Sequence, residues 1–424
     1  MTRCRHRRWP AVRVSNSDRT RRPWSARRSN GQSSPAGIAP RERPEQRVAF
    51  ERHDLARRAR IRSQQVGAMD RTAIDYDLHG LAGVRVVGAT ARDAAAVDRQ
   101  LGPIRGPLRR DPDIVVRFVD HLDVEGPLRL LGVDDAGFTD DAFLVLRARH
   151  KARARVLIPL DRIGRRCEIV CERGLPAVPL LIATLNLTVL SRGALPLHAS
   201  AFLHDGRGVV VTGWSKGGKT EALLAFVARG ARFVGDEWVY VGPDGATVYG
   251  IPEPLRLWDW HLRQLPDLRA RVGRGERVRL AALRGAAAAA RGRRLTSLLA
   301  GQLHVDVAPA TLFPPGAVAL TAPFHRLFLL VSWQRPDTAA RPVDPGEVAA
   351  RMASSLQYER APLTCAYEQF RFAFPGRSNP VLDSACERER ELLDQVMIDK
   401  VAHAVDHPYP VDLETLFEVM RPLC

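Results

Sequence analysis

The chain reads as an α/β protein: a phosphate-binding-loop (P-loop) nucleotide-binding core, a small strand-rich α/β part before it and a helical part after it. Three observations predict this. An apolar strand, a glycine-rich turn, a helix and a second apolar strand follow one another in "RGVVVTGWSKGGKTEALLAFVARGARFVGDEWVYV". Short apolar runs separated by turn residues crowd residues 69–172, and 3.6-period stretches dominate beyond residue 344.

At 424 residues, 45% hydrophobic and 26% charged, the chain has room for two or three domains. The expected divisions are 1–68, 69–185, 186–343 and 344–424. The net charge of +17 is concentrated in residues 1–68, where 18 Arg stand against 5 acidic residues, so the body is nearly neutral. That Arg-rich segment mixes Ser, Pro and Gly with no apolar period and is expected to be disordered. Met69, which opens "MDRTAIDYDLHGLAGVRVV", is the expected true start. Because the charge lies in this head, which lacks interleaved aromatics, no nucleic-acid partner is expected. With no apolar run of about 18 residues and no signal peptide, a cytoplasmic protein without a membrane partner is expected. The six cysteines are scattered rather than framed, and Cys167 and Cys171 in "CEIVC" read as buried thiols.

In chain order, "VRVVGA", "DIVVRFVD", "FLVLRARH", "ARVLIPL" and "CEIVC" read as strands, and "ARDAAAVDRQLG" as a short helix ended by glycine. The third and fourth strands alternate apolar and polar residues about a basic centre, the pattern of a hairpin with one wet face. "GLPAVPLLIATLNLTVLSRG" is apolar on every side and closed by Gly193, the pattern of a buried helix. Then come the strand "RGVVVTG", the turn "GWSKGGKT", the helix "TEALLAFVARG" and "RFVGDEWVYV", taken as one strand leading to a hairpin turn at "GPDG".

Lysine is rare here: Lys151, Lys216, Lys219 and Lys400 stand against sixty arginines, and two of the four fall in the glycine-rich turn. The turn satisfies G-x-x-x-x-G-K-[ST] with Gly213, Gly218, Lys219 and Thr220, enclosing Trp214, Ser215, Lys216 and Gly217. Glycines let successive N–H groups converge on phosphate oxygens, and the following helix adds its positive end. Lys219 would reach the β- and γ-phosphates of ATP as a compact charge, a role for which an arginine fork is too bulky and planar. Thr220 would take a Mg²⁺ coordination site. Lys216 lines the same turn and reads equally well as a solvated side chain.

Around this turn, "LPLHASAFLHDGRGVVVTGWSKGGKTEALLAFVARGARFVGDEWV" resembles the core of the HPr kinase/phosphorylases and their relatives. In that family a histidine precedes the loop strand and an acidic pair ends the next strand, within a phosphoenolpyruvate-carboxykinase-like P-loop fold. His198 matches the family's histidine, Glu221 and Ala222 the pair after its lysine and hydroxyl residue, and Asp236 its catalytic aspartate. Asp236-Glu237 stands where the family has Asp-Asp, and Trp214 replaces a loop acid. The family's longer signature is replaced by "GIPEPLRLWDWHL", similar to the stretch in HPr-kinase-like proteins that act on other substrates, peptides included. The resemblance implies catalytic roles for Asp236, His198 and Glu237, Mg²⁺ on Thr220 and Asp236, substrate or phosphate contacts from Glu253 and Arg256, and an acceptor other than HPr. It also brings a homo-oligomer into view, with no interface legible in the sequence.

Further on, "ALRGAAAAARGRRLTSLLAG" reads as an insertion and "FHRLFLLVSW" as a buried strand of the same sheet. "DPGEVAARMASSLQYE" is a helix with Asp344 at its cap, Pro345 at the first position and Val348, Met352 and Leu356 on one face. "ERERELLDQVMIDKVAHAV" and "DLETLFEVM" read as two more. The functional reading is an ATP- and Mg²⁺-dependent phosphotransferase acting on a hydroxyl of a protein, peptide or small molecule. The alternative is a nucleotide-binding regulatory or scaffold protein without transfer chemistry.

Overall fold

The five strands expected before residue 173 form, and three more among the described residues join them. The computed structural model describes residues 73–132, 134–147 and 153–424; the Arg-rich head and the start at Met69 lie outside the described residues. Strands β1 (Ile74–Leu78), β2 (Ala82–Val87), β3 (Ile114–Val119), β4 (Arg129–Leu131), β5 (Ala136–Phe138), β6 (Phe143–Arg147), β7 (Arg153–Leu157) and β8 (Cys167–Glu172) form one sheet in the order β1-β2-β3-β8-β7-β6-β5-β4. Helix α1 (Ala91–Leu101) crosses between β2 and β3 and starts in a reciprocal Thr90/Asp93 capping box. Cys167 and Cys171 are buried.

The apolar helix α2 (Leu181–Ser191) leads to β9 (Leu195–Leu197), β10 (Ser200–His204) and β11 (Arg207–Gly213), then to helix α3 (Lys219–Val227), β12 (Arg232–Gly235), β13 (Val239–Val241) and β14 (Thr247–Gly250). Next come β15 (Leu255–Trp258), helices α4 (Asp259–Gln264), α5 (Pro266–Arg271), α6 (Arg274–Ala289) and α7 (Arg293–Ala300), β16 (His304–Val307), the short α8 (Pro309–Leu312), β17 (Thr321–Pro323), β18 (Arg326–Ser332) and β19 (Ala339–Pro342). The chain closes with α9 (Pro345–Ala373), α10 (Pro380–Asp383), α11 (Ala385–Met397), β20 (Val401–His407) and α12 (Leu413–Met420).

The central sheet has six strands in the order β12-β10-β11-β18-β20-β19, with β11, β18 and β20 mutually parallel. Successive side chains on these strands point to opposite faces, and the two apolar cores divide accordingly. Val210, Leu327, Leu329 and Ala402 join the core that also holds the N-terminal sheet and the inner faces of α2, α9 and α11. Val209, Val211, Phe328, Leu330 and Val405 join the other, with α3, α12 and the base of the 259–300 segment. The described residues cluster as one compact unit. No helix among the described residues is long and apolar enough to cross a membrane.

Three expectations change. "RFVGDEWVYV" is two strands in different sheets, because Glu237 sits at a φ of +61° and breaks the run. The part after residue 344 is not wholly helical: "VAHAV" is β20, inserted between β18 and β19, where neighbouring strands satisfy its backbone and Ala402, Ala404 and Val405 are buried. The helix expected over "DPGEVAARMASSLQYE" runs on through Pro362 to Ala373.

Candidate functional site

β11 ends at Gly213 with φ +150°, where a Cβ would lie 2.8 Å from the Leu330 carbonyl oxygen on β18. Gly218 has φ +98°, and its Cβ would lie 2.8 Å from Nε2 of His407 on β20. Both conformations favour glycine, and both places lack room for a side chain. Lys216 between them is also left-handed, at φ +63°. Gly217 N–H donates to Trp214 O at 3.0 Å, closing the turn, and His407 Nε2 lies 3.0 Å from Gly217 O. The first turn of α3 is held from below by the buried Ser200 hydroxyl, which donates to Lys219 O at 2.7 Å.

Lys219 is buried, and its ammonium donates to the carbonyls of Trp214 at 2.9 Å and Gly213 at 3.4 Å. Burial pulls its pKa below the ordinary lysine value, against the charges of Glu237, Asp236, Glu359 and Glu221. Thr220 donates its hydroxyl to both oxygens of Asp236, at 2.9 and 3.2 Å. Asp236 is buried; burial and the neighbouring Glu237 charge push its pKa up to about 7.

His198 does not engage Asp236. Its Nε2 lies 3.0 Å from Glu237 Oε2, and its Nδ1 lies 3.2 Å from Oε1 of Glu359 on α9. Burial opposes charge on this ring, but the two carboxylates outweigh it and raise its pKa. Hydrogen bonding to His198 in turn holds Glu237 below the usual carboxylate range, although that side chain is 58% exposed. Glu253 presses against this group: burial first, then the Glu237 and Asp236 charges, raise its pKa well above normal, and its Oε1 has no hydrogen-bond partner. Arg256 is held by Asp306 across the β15–β16 pair, at 3.0 and 3.3 Å.

Sequence reasoning left Glu359, His407 and Asp306 out of the site. Glu359 ends an amphipathic stretch and reads as a solvated charge, and no local signal ties it to His198. His261 Nδ1 accepts from Trp258 N–H at 3.2 Å, which leaves Nε2 to donate to the buried Glu221, 3.0 Å away. Trp214, 52% exposed, lies against Tyr358 of α9 with ring centroids 4.9 Å apart. Ser215 and Lys216 complete the turn. The concavity of 610 Å³ lined by His204, Arg207 and Arg421 lies at the opposite end of β11 from the turn.

The donor set suits an anion with a divalent cation: an ammonium at the mouth of a glycine-rich turn, a hydroxyl beside a buried carboxylate, and a second carboxylate within hydrogen-bond distance of the His198 ring. No family model matches the sequence, and no curated protein matches it. Among solved structures, the Hpr(Ser) kinase/phosphatase from Coxiella burnetii is a weak neighbour. It is 16% identical, and the match covers 35% of this chain and 77% of that one with a TM-score of 0.18. A likeness of that size carries no argument about this site.

Proposed function

We propose that the chain is an ATP- and Mg²⁺-dependent phosphotransferase that phosphorylates a hydroxyl group on a protein, peptide or small-molecule acceptor. The observation that carries the reading is the convergence of Lys219, Thr220 and Asp236 at the end of β11, with Thr220 Oγ1 2.9 Å from Asp236 Oδ2. In this reading residues 213–220 cradle the phosphates, with Lys219 exchanging its two loop carbonyls for phosphate oxygens. Thr220 and Asp236 would hold Mg²⁺, which when bound supplies charge neutralisation between the phosphates. Asp236 accepts the acceptor's hydroxyl proton as the general base. His198, clamped by Glu359, orients Glu237 beside it.

The test separates binding from chemistry. Lys219→Ala should lose ATP affinity by calorimetry with the fold unchanged by circular dichroism. Asp236→Asn should keep ATP affinity while transfer from γ-labelled ATP falls by about 10²-fold, the size of losing a general base. Unchanged affinity in Lys219→Ala ends the nucleotide assignment, and a wild-type transfer rate in Asp236→Asn ends the base assignment. The second reading, a nucleotide-binding scaffold, rests on Trp214, whose ring lies against Tyr358 beside the turn. It prevails if wild-type protein binds ATP yet transfers phosphate to nothing in an extract of its own cells.

A further inference from the structure

The segment 274–302, formed by α6 and α7 with their connection, is built unlike the rest of the chain. Seven arginines stand there against one acid, Glu276. Since the body beyond residue 68 is nearly neutral, this short segment supplies its positive charge and leaves the remainder slightly acidic. Arg279 pairs with Glu276 and Arg284 reaches Asp259, whereas Arg274, Arg277, Arg291 and Arg294 have no acidic partner among the described residues. The apolar residues are also uncovered. Leu280 is the buried residue of α6, no described side chain of α7 is buried, and Val278, Leu295 and Leu298 are 68%, 50% and 69% exposed. A helix that presents an apolar stripe normally buries it, and arginines crowded without counter-charges repel one another.

The base of this arm is tied to the candidate site. His261 of α4 holds Glu221 in the first turn of α3, and Leu262, Leu265, Leu268 and Val272 anchor the approach in the core around α3. An acceptor held on the arm would be bound through a segment joined to the element that carries His261, the partner of the helix after the glycine-rich turn, with binding remote from the reacting atoms.

We propose that the arm is the docking surface for an acidic peptide segment carrying leucine-type side chains, belonging to the acceptor. The identification as acceptor rests on the phosphotransferase reading; the docking itself does not. Unpaired arginines beside exposed Leu295 and Leu298 match that chemistry on both counts. A lipid surface fits less well, since no aromatic residue occurs from Arg263 to Leu303 and interfacial helices lean on aromatic anchors.

The experiment uses the full chain without nucleotide and a fluorescein-labelled peptide of repeated Glu-Leu-Leu-Glu units, followed by anisotropy. Wild type and Lys219→Ala should bind it alike. The quadruple variant Arg274→Glu, Arg277→Glu, Arg291→Glu, Arg294→Glu should bind at least about tenfold more weakly with a flattened salt dependence. Leu295→Ser with Leu298→Ser should weaken binding by about tenfold at every salt concentration. Unchanged binding in either variant overturns the proposal. So does equal affinity for duplex DNA of matched charge, or phosphatidylserine vesicles capturing the protein when the peptide does not. Peptide binding by a protein that never binds ATP would leave the docking surface standing and remove the phosphotransferase reading alone; ATP binding without peptide binding would do the reverse.

Discussion

Helix α3 and the arm of α6 and α7 are both regular helices, yet the fold treats them in opposite ways. Eight of the nine residues of α3 are buried, including Lys219 and Glu221, whereas α6 buries Leu280 alone among its sixteen. Helices draw most of their stability from packing a face rather than from intrinsic propensity. α3 is therefore locked on every side, which lets its first turn hold Lys219 and Thr220 in one geometry. The arm is helical by composition, rich in alanine, leucine and arginine, and its outer surface is free to change without cost to the core.

That contrast can be broken or sharpened by substitution. Leu223 on α3 is fully buried, so Leu223→Ala should cost about 2–5 kcal/mol by urea unfolding. Leu298→Ala on the arm should stay within about 0.5 kcal/mol; equal costs would show that the arm is covered after all. Next in size is Gly218→Ala. The left-handed backbone and the nearby His407 ring leave no place for the methyl group, so a loss of about 1–3 kcal/mol is expected together with weakened ATP binding. A variant as stable as wild type would mean that the turn is loose rather than locked.

The smallest effect concerns pH. The raised pKa of His198 means that its stabilisation is fully present below the free imidazole value of about 6.5 and is lost as pH rises through the higher folded value. Glu359→Gln removes one of the two carboxylates that raise it. The fall in melting temperature between about pH 6 and pH 9 should therefore be smaller in the variant than in wild type. Glu359 itself, held below the ordinary glutamate range, titrates outside that window. Identical slopes would show that Glu359 does not act on the ring.

Much of the site was legible because its chemistry is local. Gly213, Gly218, Lys219 and Thr220 are contiguous in sequence, and the strand before them and helix after them announce themselves through apolar runs and a capping glycine. The partners of these residues were not legible. Glu359 and His407 lie on elements far along the chain, and each reads by itself as an ordinary residue of its element. The stretch "VAHAV" reads as helix because its alanines and valines follow a helical run and suit either state; the slot between β18 and β19 makes Val401–His407 a strand. Likewise His198 meets Glu237 rather than Asp236, because a break at Glu237 turns that carboxylate toward it.

Sequence alone determined what short-range chemistry can specify: the alternation that makes strands, the glycines that permit a tight turn, the placing of two of four lysines in that turn, and the charge segregation of the head from the body. The tertiary structure decided which distant groups meet. It set Thr220 on Asp236, His198 between Glu237 and Glu359, and the arm outside the core. Pairings of this kind depend on close-packed contacts between elements remote in sequence, and burial, which shifts the pKa values of Lys219, Asp236 and Glu253, exists only once those elements have come together.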